Sequence, residues 1–305
     1  VVVSASTLLI IGSVPALPVV VFVLWRRARR AEGHERRRAW ACFAGALLVY
    51  LLLMFTPAGP RPRLVQTAYF RWWLEYLSVR VAYRSGEPLP RGQYLFLLMP
   101  HGLYPFSGAC ATISKMVDIF SMKVAVAPIG TWIPMVRQLI AWVGSISADR
   151  SSIAAALGRG DSVGVFPGGI AEMVSTDTSS ERLVLKPRRG IVQLACEYGV
   201  PIVPVYVFGQ SVLWHHLPLP QWVETLSRWL RVSLILPYGR FGTPIPRKLP
   251  LLYAVGAPIT CSDSTGGDLP ARVDSVHAAL LSSVAELYDF YKGLYGWERR
   301  PLYVD

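Results

Sequence analysis

A histidine stands where an apolar run of the chain ends in a turn. Residues 94–98 (Tyr-Leu-Phe-Leu-Leu) are followed by Met99-Pro100-His101-Gly102, and proline and glycine favour a tight turn. Histidine is the side chain best suited to take a proton near neutral pH. The position of His101 therefore predicts a general base at the mouth of a buried strand, and a surface or structural histidine is the ordinary alternative.

A carboxylate follows a second apolar run. Residues 162–166 (Ser-Val-Gly-Val-Phe) end in Pro167-Gly168-Gly169, and Glu172 stands just beyond. The carboxyl ends of parallel strands meet at one edge of a sheet, so we expect Glu172 to orient the imidazole of His101. No Gly-x-Ser-x-Gly, Ser-x-x-Lys or phosphate-loop motif occurs in the sequence, which favours base catalysis on a bound hydroxyl over an acyl-enzyme.

Beyond residue 91, short apolar runs alternate with helical patterns. This alternation predicts an α/β fold with a mostly parallel sheet covered by helices on both faces. The expected strands are 94–99, 123–127, 162–166, 201–208 and 252–255, and the expected helices are 106–119, 131–143, 151–158, 188–198 and 271–293.

Two N-terminal stretches carry no charged residue. Residues 1–25 and 39–60 are each long enough for a helix across the hydrocarbon core of a bilayer, which needs roughly 20 residues. We therefore predict a membrane-embedded helical hairpin over 1–60, followed by one domain over 61–305. A secretory signal peptide is the alternative for the first stretch, but the sequence lacks a basic start and a clear cleavage site.

The segment 26–38 between these stretches is strongly basic. Its seven arginines and two glutamates give +5 of the formal net charge of +12. Because apolar stretches flank it, we predict a loop held against anionic lipid headgroups and not a nucleic-acid-binding surface. The positive-inside rule places this loop in the cytosol, and a hairpin that dips in without crossing keeps the domain on the same side. The remaining positive charge suits an anionic substrate.

Two further segments are expected to contact the membrane. Residues 64–80 mix aromatic side chains with arginine, which suits the headgroup level, and an amphipathic packing helix is the alternative. Residues 211–236 form an aromatic insertion that contains His215 and His216. These histidines are interpreted as interfacial and no metal site is predicted, because a third ligand is not evident. The four cysteines show no disulfide framework, which favours a reducing compartment.

Taken in order, four blocks resemble the type-2 diacylglycerol acyltransferase family, which includes monoacylglycerol and wax-alcohol acyltransferases. The blocks are Met99-Pro100-His101-Gly102, residues 133–150, residues 167–172 and residues 188–209. Four positions depart from the pattern of the family and its wider group. One is Arg71, which follows Tyr69-Phe70 where members often have proline. Met99 replaces the first histidine of the His-Pro-His-Gly motif, Phe106 stands where the wider glycerolipid acyltransferase group has an aspartate, and Gln210 stands where many members have glutamate.

The resemblance implies a glycerolipid-acyltransferase-like fold and transfer of a fatty acyl group from acyl-CoA to a lipid hydroxyl. It implies His101 as the base, with Glu172 as the replacement for the missing aspartate. Backbone N–H groups at the glycine turns would stabilise the oxyanion, and acyl-CoA would act as co-substrate without a cofactor. The turn glycines are Gly102, Gly168 and Gly169. The residues expected to bind the CoA phosphates, unless they form a solvated basic helix end, are Lys186, Arg188, Arg189 and Arg150.

The sequence leaves the acceptor open. Diacylglycerol, giving triacylglycerol, is the expectation because it is the family's commonest activity, and monoacylglycerol and long-chain alcohols are the alternatives. Because Met99 replaces a motif histidine, a non-catalytic relative that binds neutral lipid is a second class of function. A membrane-associated hydrolase is a third class. The resemblance places the protein in the endoplasmic reticulum membrane or at the lipid-droplet surface, with its domain facing the cytosol.

Overall fold

Helices and strands alternate along most of the chain. The computed structural model describes residues 17–113, 122–133, 136–175, 179–217, 221–222, 225, 237–261 and 268–305. Its helices are α1 (17–30), α2 (Gly33–Phe55), α3 (Pro62–Val65), α4 (Ala68–Tyr76), α5 (Phe106–Thr112), α6 (Val136–Trp142), α7 (Arg150–Gly158), α8 (Ile170–Ser175), α9 (Arg189–Tyr198) and α10 (Leu269–Tyr295). Its strands are β1 (Arg80–Tyr83), β2 (Leu95–Met99), β3 (Met122–Val126), β4 (Ile146–Ser147), β5 (Ser162–Val165), β6 (Glu181–Leu183), β7 (Ile202–Phe208), β8 (His215–His216), β9 (Pro237–Tyr238), β10 (Leu252–Val255) and β11 (Leu302–Val304). Short 3₁₀ turns lie at Pro128–Trp132, Gln210–Val212 and Arg240–Gly242.

The central sheet has seven strands in the order β1-β10-β7-β2-β5-β3-β4. β10 is antiparallel to β7, and β1 is parallel to β10, whereas the other neighbours pair in parallel. Side chains of a strand alternate between the two faces of a sheet. Leu95, Leu97 and Met99 of β2 therefore pack in one core cluster with residues of α9 and α10, and Phe96 and Leu98 pack in a second cluster with residues of α5. The prediction of a mostly parallel α/β sheet is confirmed.

The predicted membrane hairpin over 1–60 is shown only in part. Residues 1–16 lie outside the described residues, and only residues 31–32 separate α1 from α2. Within the described part, one helix, α2, is long and apolar enough to cross a membrane, with a mean hydropathy of 1.8. The basic segment 26–38, predicted as a loop, instead forms the end of α1 and the start of α2, because arginine, alanine and glutamate favour helix.

The end of α2 is tied to the domain by side chains of α6. Arg137 donates from Nη1 to the carbonyl oxygen of Thr56 at 2.6 Å, and Gln138 donates to the carbonyl of Leu53. These bonds satisfy carbonyl groups at a helix end, which have no intrahelical partner. They fix where the apolar helix leaves the domain.

The two segments expected at the membrane differ in how much of them is described. Within 64–80, Phe70 and Trp73 of α4 are buried while Trp72 is exposed, so part of this helix packs against the domain. Most of 211–236 lies outside the described residues, and its described ends include β8, which pairs antiparallel with β9.

One pair of cysteines contradicts the expectation from the sequence. Cys196 of α9 and Cys261 beyond β10 form a disulfide, with their Cα atoms 5.1 Å apart. Their separation of 65 residues gives no local signal, and only the fold brings them together. An isolated antiparallel β-bridge between Ile202 and Ile259 joins the segments that carry them. The sequence-based prediction of no disulfide is wrong at this pair.

Candidate active site

The predicted base and the predicted carboxylate lie at one edge of the sheet. β2 pairs in parallel with β5 on one side and with β7 on the other. The segments that follow these three strands therefore meet at their carboxyl ends. They bring together the loop at His101, the turn before Glu172 and the turn that begins at Gln210.

His101 is held through its backbone and through its ring. Its backbone N–H donates to Oε2 of Glu172 at 2.6 Å, and its ring Nδ1 lies 2.8 Å from the carbonyl oxygen of Gly102. A carbonyl oxygen is an acceptor only, so this contact places the proton of the neutral ring on Nδ1 and leaves the lone pair on Nε2. Burial lowers the pKa of His101, and the bond to Gly102 opposes this shift only in part. The lowered pKa keeps the imidazole neutral and able to accept a proton at pH 7.

Glu172 therefore supports His101 differently from the sequence-based expectation. The expected bond from the carboxylate to the imidazole is replaced by the bond to the backbone N–H, because Nδ1 already engages Gly102. The other carboxylate oxygen, Oε1, accepts from the backbone N–H of Val184 at 2.9 Å. Glu172 is 2 % exposed, and burial raises its pKa to about 7 despite these two bonds. Its carboxylate connects the loop of His101 to the segment after β6.

The glycine turn before α8 is shaped around this carboxylate. A Cβ atom at Gly168 would lie 1.8 Å from Cδ of Glu172, so a larger residue displaces the carboxylate. Gly169 follows in the same turn with a φ of +57°. Arg188 donates from Nη2 to the carbonyl oxygen of Gly168 at 3.1 Å, which fixes the turn from the side of α9.

Gln210 is a site residue whose role the sequence reasoning missed. Its amide Nε2 donates to the carbonyl oxygen of His101 at 3.1 Å and to that of Tyr104, and its Oε1 accepts from the backbone N–H of Ser107 at 3.1 Å. A Cβ atom at Gly102, whose φ is +63°, would lie 2.8 Å from the carbonyl oxygen of Gln210. An amide, which both donates and accepts, suits these partners better than a carboxylate. The signal available in the sequence was a polar residue two positions after the end of the apolar strand β7.

We predict that replacing Gln210 with methionine lowers the free energy of unfolding by about 3 kcal/mol. One buried and two part-buried backbone groups lose their partner, and an unsatisfied group costs about 1–3 kcal/mol, least where water still reaches it. Urea denaturation of the detergent-solubilised protein measures this change. Gln193→Met is the matched control, since Gln193 is exposed and bonds to Glu197 on the same helix. A loss of unfolding free energy for Gln210→Met no larger than that of the control would contradict the role of Gln210 in holding the loop of His101.

The sequence of this chain matches a known family over residues 40–304, described as diacylglycerol acyltransferase. That match covers most of the chain and the ends of the three strands that carry the site. The chain belongs to the diacylglycerol acyltransferase family. The resemblance found in the four sequence blocks is thereby confirmed.

Relatives within the acyltransferase group are named for different acceptors. The chain is 27% identical over 266 residues to acyl-CoA wax alcohol acyltransferase 2 of Homo sapiens, covering 79% of each. It is 27% identical over 252 residues to diacylglycerol O-acyltransferase 2 of Danio rerio, covering 74% of this chain and 68% of that protein. It is 27% identical over 248 residues to 2-acylglycerol O-acyltransferase 1 of Mus musculus, covering 74% and 73%. Among solved structures, the chain is similar to the 1-acyl-sn-glycerophosphate acyltransferase PlsC of Thermotoga maritima, with a TM-score of 0.43, 15% identity and coverage of 93% and 97%.

Two positions at which this family member departs from the motif pattern have a structural account. Met99 is fully buried in β2 and packs in the core cluster that contains Leu95 and Leu97, so its side chain fills the core. Phe106 begins α5, and its ring lies 5.0 Å from that of Trp73 and 5.8 Å from that of Trp214. An apolar contact occupies the place of the aspartate.

The basic residues expected at the CoA phosphates are spread over three elements. Arg150 at the start of α7 pairs with Glu197 at 2.5 Å, and Arg189 pairs with Asp274 of α10. The side chain of Lys186 is exposed beside Arg188. The structure thus gives Arg150 and Arg189 carboxylate partners, and it directs Arg188 to the glycine turn.

His215 and His216 form the short strand β8. The ring of His215 accepts from Arg247, with 2.8 Å between Nε2 and Nη1. Among the described residues, no group of three histidine, cysteine, aspartate or glutamate side chains could hold a metal ion.

Proposed function

We propose that this chain is an acyl-CoA-dependent O-acyltransferase that esterifies diacylglycerol to triacylglycerol at the membrane, with His101 as the general base. The observation that carries the proposal is the ring of His101, whose Nδ1 is engaged by Gly102 so that the lone pair lies on Nε2. Membership in the diacylglycerol acyltransferase family supports the reaction class.

In this mechanism, Nε2 of His101 takes the proton of the acceptor hydroxyl as its oxygen attacks the thioester carbon of acyl-CoA. The tetrahedral intermediate then expels the CoA thiolate, which recovers the proton from the imidazolium. We infer that backbone N–H groups at Gly168 and Gly169 stabilise the oxyanion. Glu172 acts as a positioning residue through the backbone of His101, and the reaction needs no metal or cofactor.

The CoA phosphates are proposed to bind on the basic side of the turn that precedes α9. Arg188 has a buried Nε without a hydrogen-bond partner in the part of the chain that the structure describes, and a phosphate oxygen would satisfy it. Lys186 is exposed beside it, whereas Arg189 and Arg150 would bind phosphate by exchanging their carboxylate partners.

The membrane helix α2 supports a membrane-bound enzyme, because the acyl chain and the acceptor then arrive laterally from the bilayer. We propose the endoplasmic reticulum membrane with the domain facing the cytosol, where acyl-CoA is available, and the lipid-droplet surface as a second site. The disulfide between Cys196 and Cys261 argues for the opposite side, since such bonds persist in oxidising compartments. Protease accessibility of the C-terminus in sealed vesicles decides the placement: a protected C-terminus would exclude the cytosolic orientation.

The acceptor is tested by transfer of a labelled acyl group from acyl-CoA in membranes of cells that make no neutral lipid. Diacylglycerol, monoacylglycerol and a long-chain alcohol are offered separately, and triacylglycerol from diacylglycerol is the expected product. Product from only one of the other acceptors would reassign the substrate within the family. Release of free fatty acid without an acceptor would indicate a hydrolase, and no product from correctly inserted protein would favour a lipid-binding relative.

A further inference from the structure

A cavity of about 380 Å³ lies beside the 3₁₀ turn Gln210–Val212 and is lined in part by Val212, His215, Arg247, Trp297 and Arg300. Its size falls within the range of small-molecule sites, about 300–1,000 Å³. His101 and Glu172 do not line it. Val212 belongs to the turn whose first residue, Gln210, holds the loop of His101, so the cavity adjoins the candidate active site without including its groups.

Arg247 brings an unbalanced positive charge to the wall of this cavity. A guanidinium group only donates hydrogen bonds, so Nε2 of His215, at 2.8 Å from Nη1 of Arg247, is the acceptor and His215 is neutral. Burial and the charges of Arg247, His216 and Arg300 all lower the pKa of His215. Within the described ranges, no carboxylate lies at ion-pair distance from Arg247.

Arg300 gives the cavity a second guanidinium, which is fixed in place. It pairs with the buried carboxylate of Glu181 at 2.7 Å, and its guanidinium carbon lies 4.6 Å from the centre of the Trp297 ring. Glu181 also accepts from the hydroxyls of Tyr206 at 2.9 Å and Ser211 at 2.7 Å. These contacts hold the side chain of Arg300, and Glu181 pairs with its charge. Arg247 is therefore the guanidinium of this wall that lacks a carboxylate partner among the described residues.

The remaining wall is apolar. Leu249 and Pro250 line the cavity with Val212 and the rings of Tyr295 and Trp297. A site of this kind, with one uncompensated cation on an apolar surface, matches a molecule that has one anionic group on an apolar body.

We propose that this cavity binds the anionic head of a single-chain amphiphile, a carboxylate or a phosphate ester, with Arg247 as its counter-ion and the apolar wall against its chain. The proposal assigns a binding site separate from His101 and does not depend on the proposed acyl transfer. Guanidinium groups bind both carboxylate and phosphate oxygens, so the two heads are separated by experiment.

The test uses the full chain in nanodiscs of zwitterionic phosphatidylcholine, with empty nanodiscs as the blank. Octanoate, octyl phosphate, octanol and inorganic phosphate are titrated below their critical micelle concentrations and followed by calorimetry. We expect one or both octyl anions to bind at least about tenfold more tightly than octanol, because a hydrogen bond to a charged group contributes about 1.5–3 kcal/mol. The tighter of the two identifies the head group.

Arg247→Gln is expected to weaken binding of that anion by at least about tenfold, while Arg247→Lys retains most of it. Arg240→Gln is the matched control, because this substitution removes the same charge. Arg240 lies in the neighbouring 3₁₀ turn against the ring of Phe241. Thermal unfolding midpoints confirm that the variants are folded. Equal binding of octanol, or of inorganic phosphate and octyl phosphate, would overturn the proposal, as would absence of anion binding to the wild type.

Discussion

Replacing His101 with alanine is expected to lower the rate of acyl transfer by about 10²–10⁴-fold, the range that a positioned general base contributes. The reason is the arrangement of its ring. The carbonyl oxygen of Gly102 holds Nδ1, so Nε2 is the atom that can accept a proton, and no other atom of the loop replaces it. Initial rates are measured with labelled acyl-CoA and diacylglycerol in microsomes, per amount of inserted protein.

His216→Ala is a matched control for this variant. The ring Nδ1 of His216 lies 3.1 Å from the carbonyl oxygen of the following residue, Leu217, the same local contact that His101 makes with Gly102. His216 lies in β8, outside the segments that directly follow β2 and β5, so its loss is expected to leave the rate unchanged. Equal rates for the wild type and both alanine variants would remove His101 from the chemistry.

The strands that carry the site could be predicted from the sequence because each is a continuous apolar run bounded by proline, glycine or a charge. β10 has the expected limits, 252–255, and β2, β5 and β7 each differ from expectation by one residue. The antiparallel pairing of β10 with β7 had no such signal, because the direction of a strand depends on the path of the intervening chain. The two- and three-residue strands β4, β6, β8, β9 and β11 were not predicted, because so few residues carry no periodic pattern.

The expected helices were found with two differences. α6 covers only the second half of the expected 131–143, and the 3₁₀ turn Pro128–Trp132 precedes it. α5 ends at Thr112, and the rest of the expected 106–119 lies mostly outside the described residues. Apolar periodicity predicts that a helix is present better than it predicts where the helix ends.

The pairing of His101 with Glu172 was predictable at the level of residues, since both follow neighbouring parallel strands. The atoms that meet were not predictable, because the bond runs to a backbone N–H whose direction depends on the turn at Gly102. Gln210 and the disulfide between Cys196 and Cys261 share this limit. Their partners lie between 65 and 109 residues away in the sequence, and side-chain type alone does not identify them.

Glu172→Gln is the variant that tests how the base is positioned. A glutamine presents one oxygen and one NH₂ group to the two backbone N–H donors of His101 and Val184, so one donor faces another donor. The loop of His101 is then released from the segment after β6. We expect the rate to fall by about 10²-fold, the cost of a misplacement of about 1 Å. Glu286→Gln on the exposed side of α10, where Glu286 accepts from Ser282, is the control for the same chemical change.

The pH dependence distinguishes this role from simple stabilisation of the fold. Protonation of Glu172 near its pKa of about 7 removes the negative charge that strengthens its bonds to the N–H groups of His101 and Val184, so the wild-type rate is expected to fall as the pH drops below about 7. The pKa of His101 is lowered from 6.5, so the acidic limb of Glu172→Gln is expected to move below pH 6.5, where only His101 titrates.

The contribution of Glu172 to the free energy of unfolding changes with pH in the opposite direction to the rate. Its folded pKa of about 7 lies above the model-compound value of 4.5, so the folded state holds this proton more tightly than the unfolded state. The contribution of Glu172 to the free energy of unfolding is therefore present at low pH and is lost as the pH rises from 4.5 through about 7. The difference between wild type and Glu172→Gln in urea denaturation isolates this contribution. If the wild-type rate falls on acidification while the wild type gains stability relative to Glu172→Gln, unfolding does not explain the lower rate. If the rates of the two proteins depend on pH in the same way, Glu172 does not position His101.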